Sequence, residues 1–247
     1  RLQAQDFIGA EIKFRAALEL APDRPSILVN LSACLLRLNK VAEAKQIAAR
    51  ATDIDKSNRD AWLNLAICSR AEGAYEAAAD ALQHLRVINP NDSEANSLRG
   101  EIANLYFQRG NTHLGESRFE SAILDFRSAV ALAPDFKEAY CNLGNALLDL
   151  RSIEEAIDCH QKAVAIDGNY VDAHYNLGCA LKIAGQWHEA IESFTRAITL
   201  DKSYANAYCA RGNTHLELAE WEAAIENYLR AIELNPKFEF LLGTFLL

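Results

Sequence analysis

The chain has 247 residues, 50% of them hydrophobic, 24% charged and 9% aromatic. That is a globular composition, not a disordered one. The formal net charge is −9, which argues against nucleic acid, whose phosphates need clustered Lys and Arg, and against an anionic membrane surface. No stretch approaches the roughly 18 apolar residues of a bilayer-spanning helix.

Six cysteines are present, Cys34, Cys68, Cys141, Cys159, Cys179 and Cys209. None forms the Cys-x-x-Cys spacing of a zinc or thioredoxin-like site. Cys34 and Cys68 fall on the packed side of a helical pattern and read as small buried hydrophobes. Free thiols at this density point to a reducing compartment, so the expectation is a cytoplasmic protein. The sequence contains no Met and opens in the middle of a repeat. It therefore reads as a fragment of something longer.

A 34-residue period organises the chain. Residues 138–147, Glu-Ala-Tyr-Cys-Asn-Leu-Gly-Asn-Ala-Leu, return 34 positions later as Asp-Ala-His-Tyr-Asn-Leu-Gly-Cys-Ala-Leu. A fixed period marks one supersecondary unit copied along a line, each copy burying its apolar face against its neighbours. Taken in order, residues 1–24 are the back part of a unit, with Ala10, Phe14, Ala17 and Pro22 in register. Full units occupy 25–58 and 59–92, giving an N-terminal block over 1–92. Four more at 103–136, 137–170, 171–204 and 205–238 give a C-terminal block over 103–238. Within each unit apolar residues recur at intervals of three and four, which predicts two amphipathic helices. Small residues let the two backbones approach: numbering each unit 1 to 34, position 8 holds Ser32, Ala66, Gly110, Gly144, Gly178 and Gly212, and position 20 is Ala throughout.

Ten extra residues, 93–102, separate the blocks. They contain no Pro, and Ala95, Leu98, Ile102 and Leu105 keep helical spacing. The spacing predicts one long helix over 93–115 acting as a joint; a break at Gly100 is the competing reading. The chain ends in residues 239–247, nearly all apolar, expected to cap the last hairpin or to open a further domain.

Signals for catalysis are poor. There is no Gly-x-Ser-x-Gly, no phosphate-binding Gly-rich loop and no Gly-x-Gly-x-x-Gly. His188-Glu189 begins like a zinc-protease helix, but Glu192 stands where the second His belongs. His113 and His215 lie in two copies of Arg-Gly-Asn-Thr-His-Leu and read as copied packing residues. No cofactor, no metal and no catalysis by this chain are expected.

The first helix of each unit carries the binding candidates. Position 6 reads Asn30, Asn64, Gln108, Asn142, Asn176 and Ala210; position 9 adds Asn111, Asn145 and Asn213; Tyr175 stands beside them at position 5. Asn is a mediocre helix former, costing about 0.5 kcal/mol against Ala. Its amide offers donors and an acceptor suited to an extended peptide backbone. Two readings stay open: these amides grip a ligand, or they bond the neighbouring helix.

The pattern of a bulky residue, Leu-Gly, and then Ala, Phe, Ala and Pro of the second helix, in phase over residues 1–238, resembles the tetratricopeptide repeat. Lys56, Gly168 and Lys202 depart from the terminal Pro, His160 from the usual aromatic, and Arg109 and Arg211 from the Leu before Gly. The resemblance implies an all-α, right-handed superhelical solenoid whose first helices line the inside, and a scaffold that binds an extended segment of another protein. Members that clamp a C-terminal carboxylate carry Lys at position 2 or 5; none occurs here. The Ala-Tyr-Cys-Asn-Leu-Gly-Asn-Ala-Leu run and the Asn ladder are also similar to the repeat arm of O-linked N-acetylglucosamine transferases. That likeness implies, as the alternative, a substrate-recognition arm whose catalytic domain lies outside this chain. End-to-end self-association is a third expectation, from the half unit at one end and the apolar tail at the other.

Overall fold

A computed structural model describes residues 2–238, with side chains from residue 6 onward; the apolar segment 239–247 lies outside the described residues. Thirteen helices succeed one another, with no strand among the described residues. They are α1 (Leu2–Leu20), α2 (Pro25–Arg37), α3 (Val41–Ile54), α4 (Arg59–Ala71), α5 (Tyr75–Ile88), α6 (Ser93–Gly115), α7 (Phe119–Leu132), α8 (Lys137–Asp149), α9 (Ile153–Ile166), α10 (Val171–Ile183), α11 (Trp187–Leu200), α12 (Ala205–Glu217) and α13 (Trp221–Leu234). The chain forms two compact units, Arg1–Tyr106 and Phe107–Leu247, divided inside α6. That helix passes through Gly100 without a break.

Within each unit the packing is that of a solenoid. Helices pair as hairpins, α2 with α3, α4 with α5, α8 with α9, α10 with α11 and α12 with α13, and second helices pack on the next first helix, α1 on α2, α3 on α4, α7 on α8, α9 on α10 and α11 on α12. First helices also meet in succession, α2 with α4, α8 with α10, and α10 with α12. Every element touches only near neighbours in sequence, as a 34-residue copy must.

Two contacts repeat and explain the hairpins. A Cβ placed on Gly110, Gly144, Gly178 or Gly212 would stand 2.7, 2.5, 2.6 or 2.8 Å from the ring of Phe126, His160, Phe194 or Tyr228. Each ring is position 24 of the repeat, on the second helix, and fills the space that a side chain at position 8 would need. Where position 8 keeps a side chain, in Ser32 and Ala66, position 24 is the smaller Ala48 or Leu82. Around this contact, Ala44, Ala78, Ala122, Ala156, Ala190 and Ala224 of position 20 are fully buried, as are Ala51, Leu85, Ala129, Ala163, Ala197 and Ala231 of position 27.

The turn inside each hairpin is also copied. Position 15 takes a left-handed backbone in all six, at Asn39, Gly73, Ser117, Arg151, Gly185 and Ala219, with φ between 58° and 76°. The next residue donates its N–H five positions back, Lys40 to Leu35, Ala74 to Ser69 and Gln186 to Leu181, each at 2.9 Å. This pair of features is a Schellman ending, which satisfies carbonyls that the helix leaves open. Gly suits the position; Arg151 and Ala219 bear about 1 kcal/mol of strain each.

His160 is the one member of the position 24 row with polar ring atoms and no use for them. It is fully buried, and neither ring nitrogen has a hydrogen-bond partner. Burial pushes its pKa down to about 4. An unfolded imidazole titrates near 6.5, so below that pH the unfolded chain takes up a proton that the folded chain refuses. Stability is therefore retained above pH 6.5 and lost as pH falls toward 4, by about 3 kcal/mol in all. We expect His160→Phe to be more stable by about 1–3 kcal/mol at pH 7.5. The gap between variant and parent, tracked by urea unfolding, should widen between pH 6.5 and 4. A gap independent of pH would contradict this account. Ala219→Gly should add about 1 kcal/mol by relieving the left-handed turn, read as a higher urea midpoint.

Candidate functional site

In the first unit, α2, α4 and the start of α6 bound a cavity of about 530 Å³ on the face made by the first helices. Its floor is apolar, from Val29, Ala33, Leu36, Leu63 and Ile67, and its sides carry Asn30, Asn64, Arg37, Arg59, Asp60 and Glu94. The helical repeat places this set: positions 5, 9 and 12 share one stripe of a helix, and copying the stripe in register doubles it.

The two amides here have different duties. Asn64 is buried, and its Nδ2 donates to the Val29 carbonyl at 3.2 Å and to Ser32 Oγ at 2.8 Å. It joins α4 to α2. Asn30 is exposed and has no hydrogen-bond partner among the described residues.

In the second unit the amides form a broken row. Asn142 Nδ2 on α8 donates to Asn111 Oδ1 on α6 at 2.7 Å. Asn176 Nδ2 on α10 donates to Cys141 Sγ at 3.1 Å. Asn213 Oδ1 accepts from the Tyr228 hydroxyl at 2.6 Å. Asn145 is half-buried and Gln108 exposed, and neither side chain makes a hydrogen bond among the described residues. Tyr175 packs on Phe194 and Tyr204, with ring centroids 5.9 and 5.1 Å away. The reading in which the amides bond the neighbouring helix holds for Asn64, Asn142 and Asn176. A bonded Asn here still keeps at least half its capacity, since an amide has two N–H groups and two oxygen lone pairs.

Burial pushes the Cys68 and Cys159 thiols up to about 11, and raises Cys141, Cys179 and Cys209 as well. A thiol held protonated is a poor nucleophile. Burial likewise raises Tyr170, Tyr175 and Tyr204. Among the described residues no three His, Cys, Asp or Glu side chains gather as a metal site would require, and no helix is long and apolar enough to cross a membrane.

Ion pairs were less legible in the sequence. Arg109 closes on Asp125 with two bonds of 2.9 and 2.6 Å, and Arg211 makes the matching bond to Asn227 at 2.8 Å. Both substituted arginines thus face position 23 of the second helix. A joint reading of positions 7 and 23 would have found them. His113 stands 3.6 Å from Asp125, and His215 is 2.6 Å from Glu220. These are contacts within one hairpin or its turn.

The geometry defines a class first: a solenoid of stacked helical hairpins with a ligand-sized hollow between first helices. The chain belongs to the tetratricopeptide repeat family. Sequence signatures of that repeat match residues 1–57 and 41–102, 103–136, 138–170 and 205–238, 161–192, and 178–218. Similar proteins include the human protein O-mannosyl-transferase TMTC3, 25% identical over 53% of this chain and 17% of that protein. The Arabidopsis thaliana protein POLLENLESS 3-LIKE 1 is 34% identical over 37% of this chain and 19% of that protein. The chain therefore spans less than a fifth of either relative. Among solved structures, MamA superposes with a TM-score of 0.53 at 24% identity, over 70% of this chain and 95% of MamA.

Asn64→Ala should cost about 1–2 kcal/mol, since it removes both side-chain bonds that Asn64 gives to α2, at the Val29 carbonyl and the Ser32 hydroxyl. Asn30→Ala should be neutral or stabilising by about 0.5 kcal/mol, because Ala is the better helix former. Urea unfolding of both variants checks the contrast; equal losses would show that Asn30 has a structural duty.

Proposed function

We propose that this chain is a protein-interaction scaffold that holds an extended segment of another polypeptide along the face of its first helices. The observation that carries the reading is the cavity of about 530 Å³ beside Asn30. It joins an apolar floor to an amide that the fold does not use. Asn costs about 0.5 kcal/mol in a helix, and nothing within the described residues offsets that cost at Asn30. A backbone amide of a ligand would. The spare donors and acceptors of Asn111, Asn142, Asn145, Asn176 and Asn213 extend the same chemistry through the second unit, with Tyr175 beside them and Gln108 at its start. Membership of a repeat family built from such faces supports the reading.

A second reading is that the chain is the substrate-recognition arm of a larger protein O-glycosyltransferase, of the O-linked N-acetylglucosamine type or another. The human relative named as an O-mannosyl-transferase supports it, since only 17% of that protein corresponds to this chain. The two readings share the same face and differ in the fate of the bound segment: held in one, modified by a further domain in the other.

Selection from a displayed library of extended nonapeptides tests the face. Binders should emerge, and Asn30→Ala together with Asn142→Ala, Asn145→Ala and Asn176→Ala should weaken them at least about tenfold, since each lost bond is worth about 0.5–1.5 kcal/mol. Binders indifferent to these changes, in a variant that keeps its helicity, would remove the proposal.

A further inference from the structure

The hollow of the first unit is electrically two-ended. At one end stands Arg37, the last residue of α2. It is exposed and has no ion-pair partner among the described residues. At the other end Arg59, the first residue of α4, is shared by three carboxylates. Its Nε and a terminal nitrogen reach Asp92 at 2.6 and 2.9 Å, another reaches Asp60 at 2.7 Å, and Glu94 is bound as well. Three carboxylates against one guanidinium leave two surplus negative charges. Asp92 is buried and caps α6 through the Ala95 N–H at 3.0 Å. The carboxylates of Asp60 and Glu94 are 61% and 66% exposed, so the surplus faces solvent at the rim. Between the two ends lies the apolar floor of Val29, Ala33, Leu63 and Ile67.

The separation sets a length. α2 and α4 are the first helices of successive hairpins and run the same way. Asp60, second in α4, is level with Ser26, second in α2, and Arg37 ends α2 eleven residues later (37 − 26 = 11). At about 1.5 Å per residue that is roughly 16 Å along the helices. An extended chain advances about 3.3 Å per residue and shows alternate side chains to one face. Residues i, i+2 and i+4 therefore span about 13 Å, and long charged side chains cover the remainder.

We infer that the first-unit hollow selects an extended segment with a basic, a bulky apolar and an acidic residue at alternate positions. The basic residue meets Asp60 and Glu94, the apolar one enters the hollow, and the acidic one meets Arg37. Either chain direction satisfies the pattern. The inference rests on the proposed scaffold function and names the ligand class for one of its units. Arg37 also lies where a helix C-terminus favours a cation, and the test separates that duty from ligand contact.

Labelled peptides Lys-Ser-Leu-Ser-Glu and Glu-Ser-Leu-Ser-Lys, each with Gly-Ser flanks, are titrated into the whole chain by fluorescence anisotropy, beside Glu-Ser-Leu-Ser-Glu and Lys-Ser-Leu-Ser-Lys. At least one mixed-charge peptide should bind about 5- to 10-fold tighter than either like-charged one at low salt, with the margin shrinking as salt screens the rim. In Arg37→Glu the order should change, with Lys-Ser-Leu-Ser-Lys becoming the tightest. A thermal melt of that variant reads the helix-end contribution independently. Equal binding of all four peptides overturns the inference, and so does an order unchanged by Arg37→Glu. If none of the four binds while the nonapeptide selection yields amide-dependent binders, the inference falls and the scaffold reading stands. If the selection also fails, both fall.

Discussion

The molecule depends on how closely two antiparallel helices approach at one point in each hairpin. Four times a glycine lets a ring rest directly on backbone, and a single added methyl would intrude to between 2.5 and 2.8 Å. Interiors are packed too densely to absorb such an intrusion without moving backbone. Position 8 and position 24 are therefore one variable: bare backbone with a ring, or a small side chain with Ala48 or Leu82. The contact sets the spacing of each hairpin, hence the stripe each first helix offers to the next, hence the hollow between α2 and α4.

His160 shows how local this constraint is. Its imidazole has the shape the glycine requires and the wrong chemistry for a dry site. The ring fits Gly144 as Phe126 fits Gly110, yet two nitrogens go unbonded. Each repeat answers only to its neighbours, so a defect of this kind stays within one hairpin instead of disturbing a single shared core. The two Arg-to-position-23 pairs show the same locality from the polar side: each hairpin closes its own substitution.

On the first-helix face one residue type meets two different surroundings. Asn64, Asn142 and Asn176 each spend a donor on the preceding first helix, holding successive hairpins in register. Asn30 spends nothing. Bonded amides tie successive first helices together, while Asn30, Asn145 and Gln108 keep their side-chain donors and acceptors unused among the described residues. Rigid placement of this kind lowers the ordering cost of binding.

The 34-residue period, the two helices per unit, the alanine rows and the family were all written in the sequence. They arise from short-range rules, helical periodicity and small-residue spacing, which act on residues three, four or 34 apart. The same spacing put Asn30, Asn64, Asn111, Asn142, Asn145, Asn176 and Asn213 on first helices. What the sequence left open was which of those amides are already bonded, because that turns on distances between residues some 31 to 35 positions apart along the chain. It was silent on the left-handed position 15 where Arg151 and Ala219 stand, and on Arg59 gathering Asp60, Asp92 and Glu94. Those are decided by the tertiary structure, because a charge or an amide finds its partner only once packing has fixed which helix lies beside it.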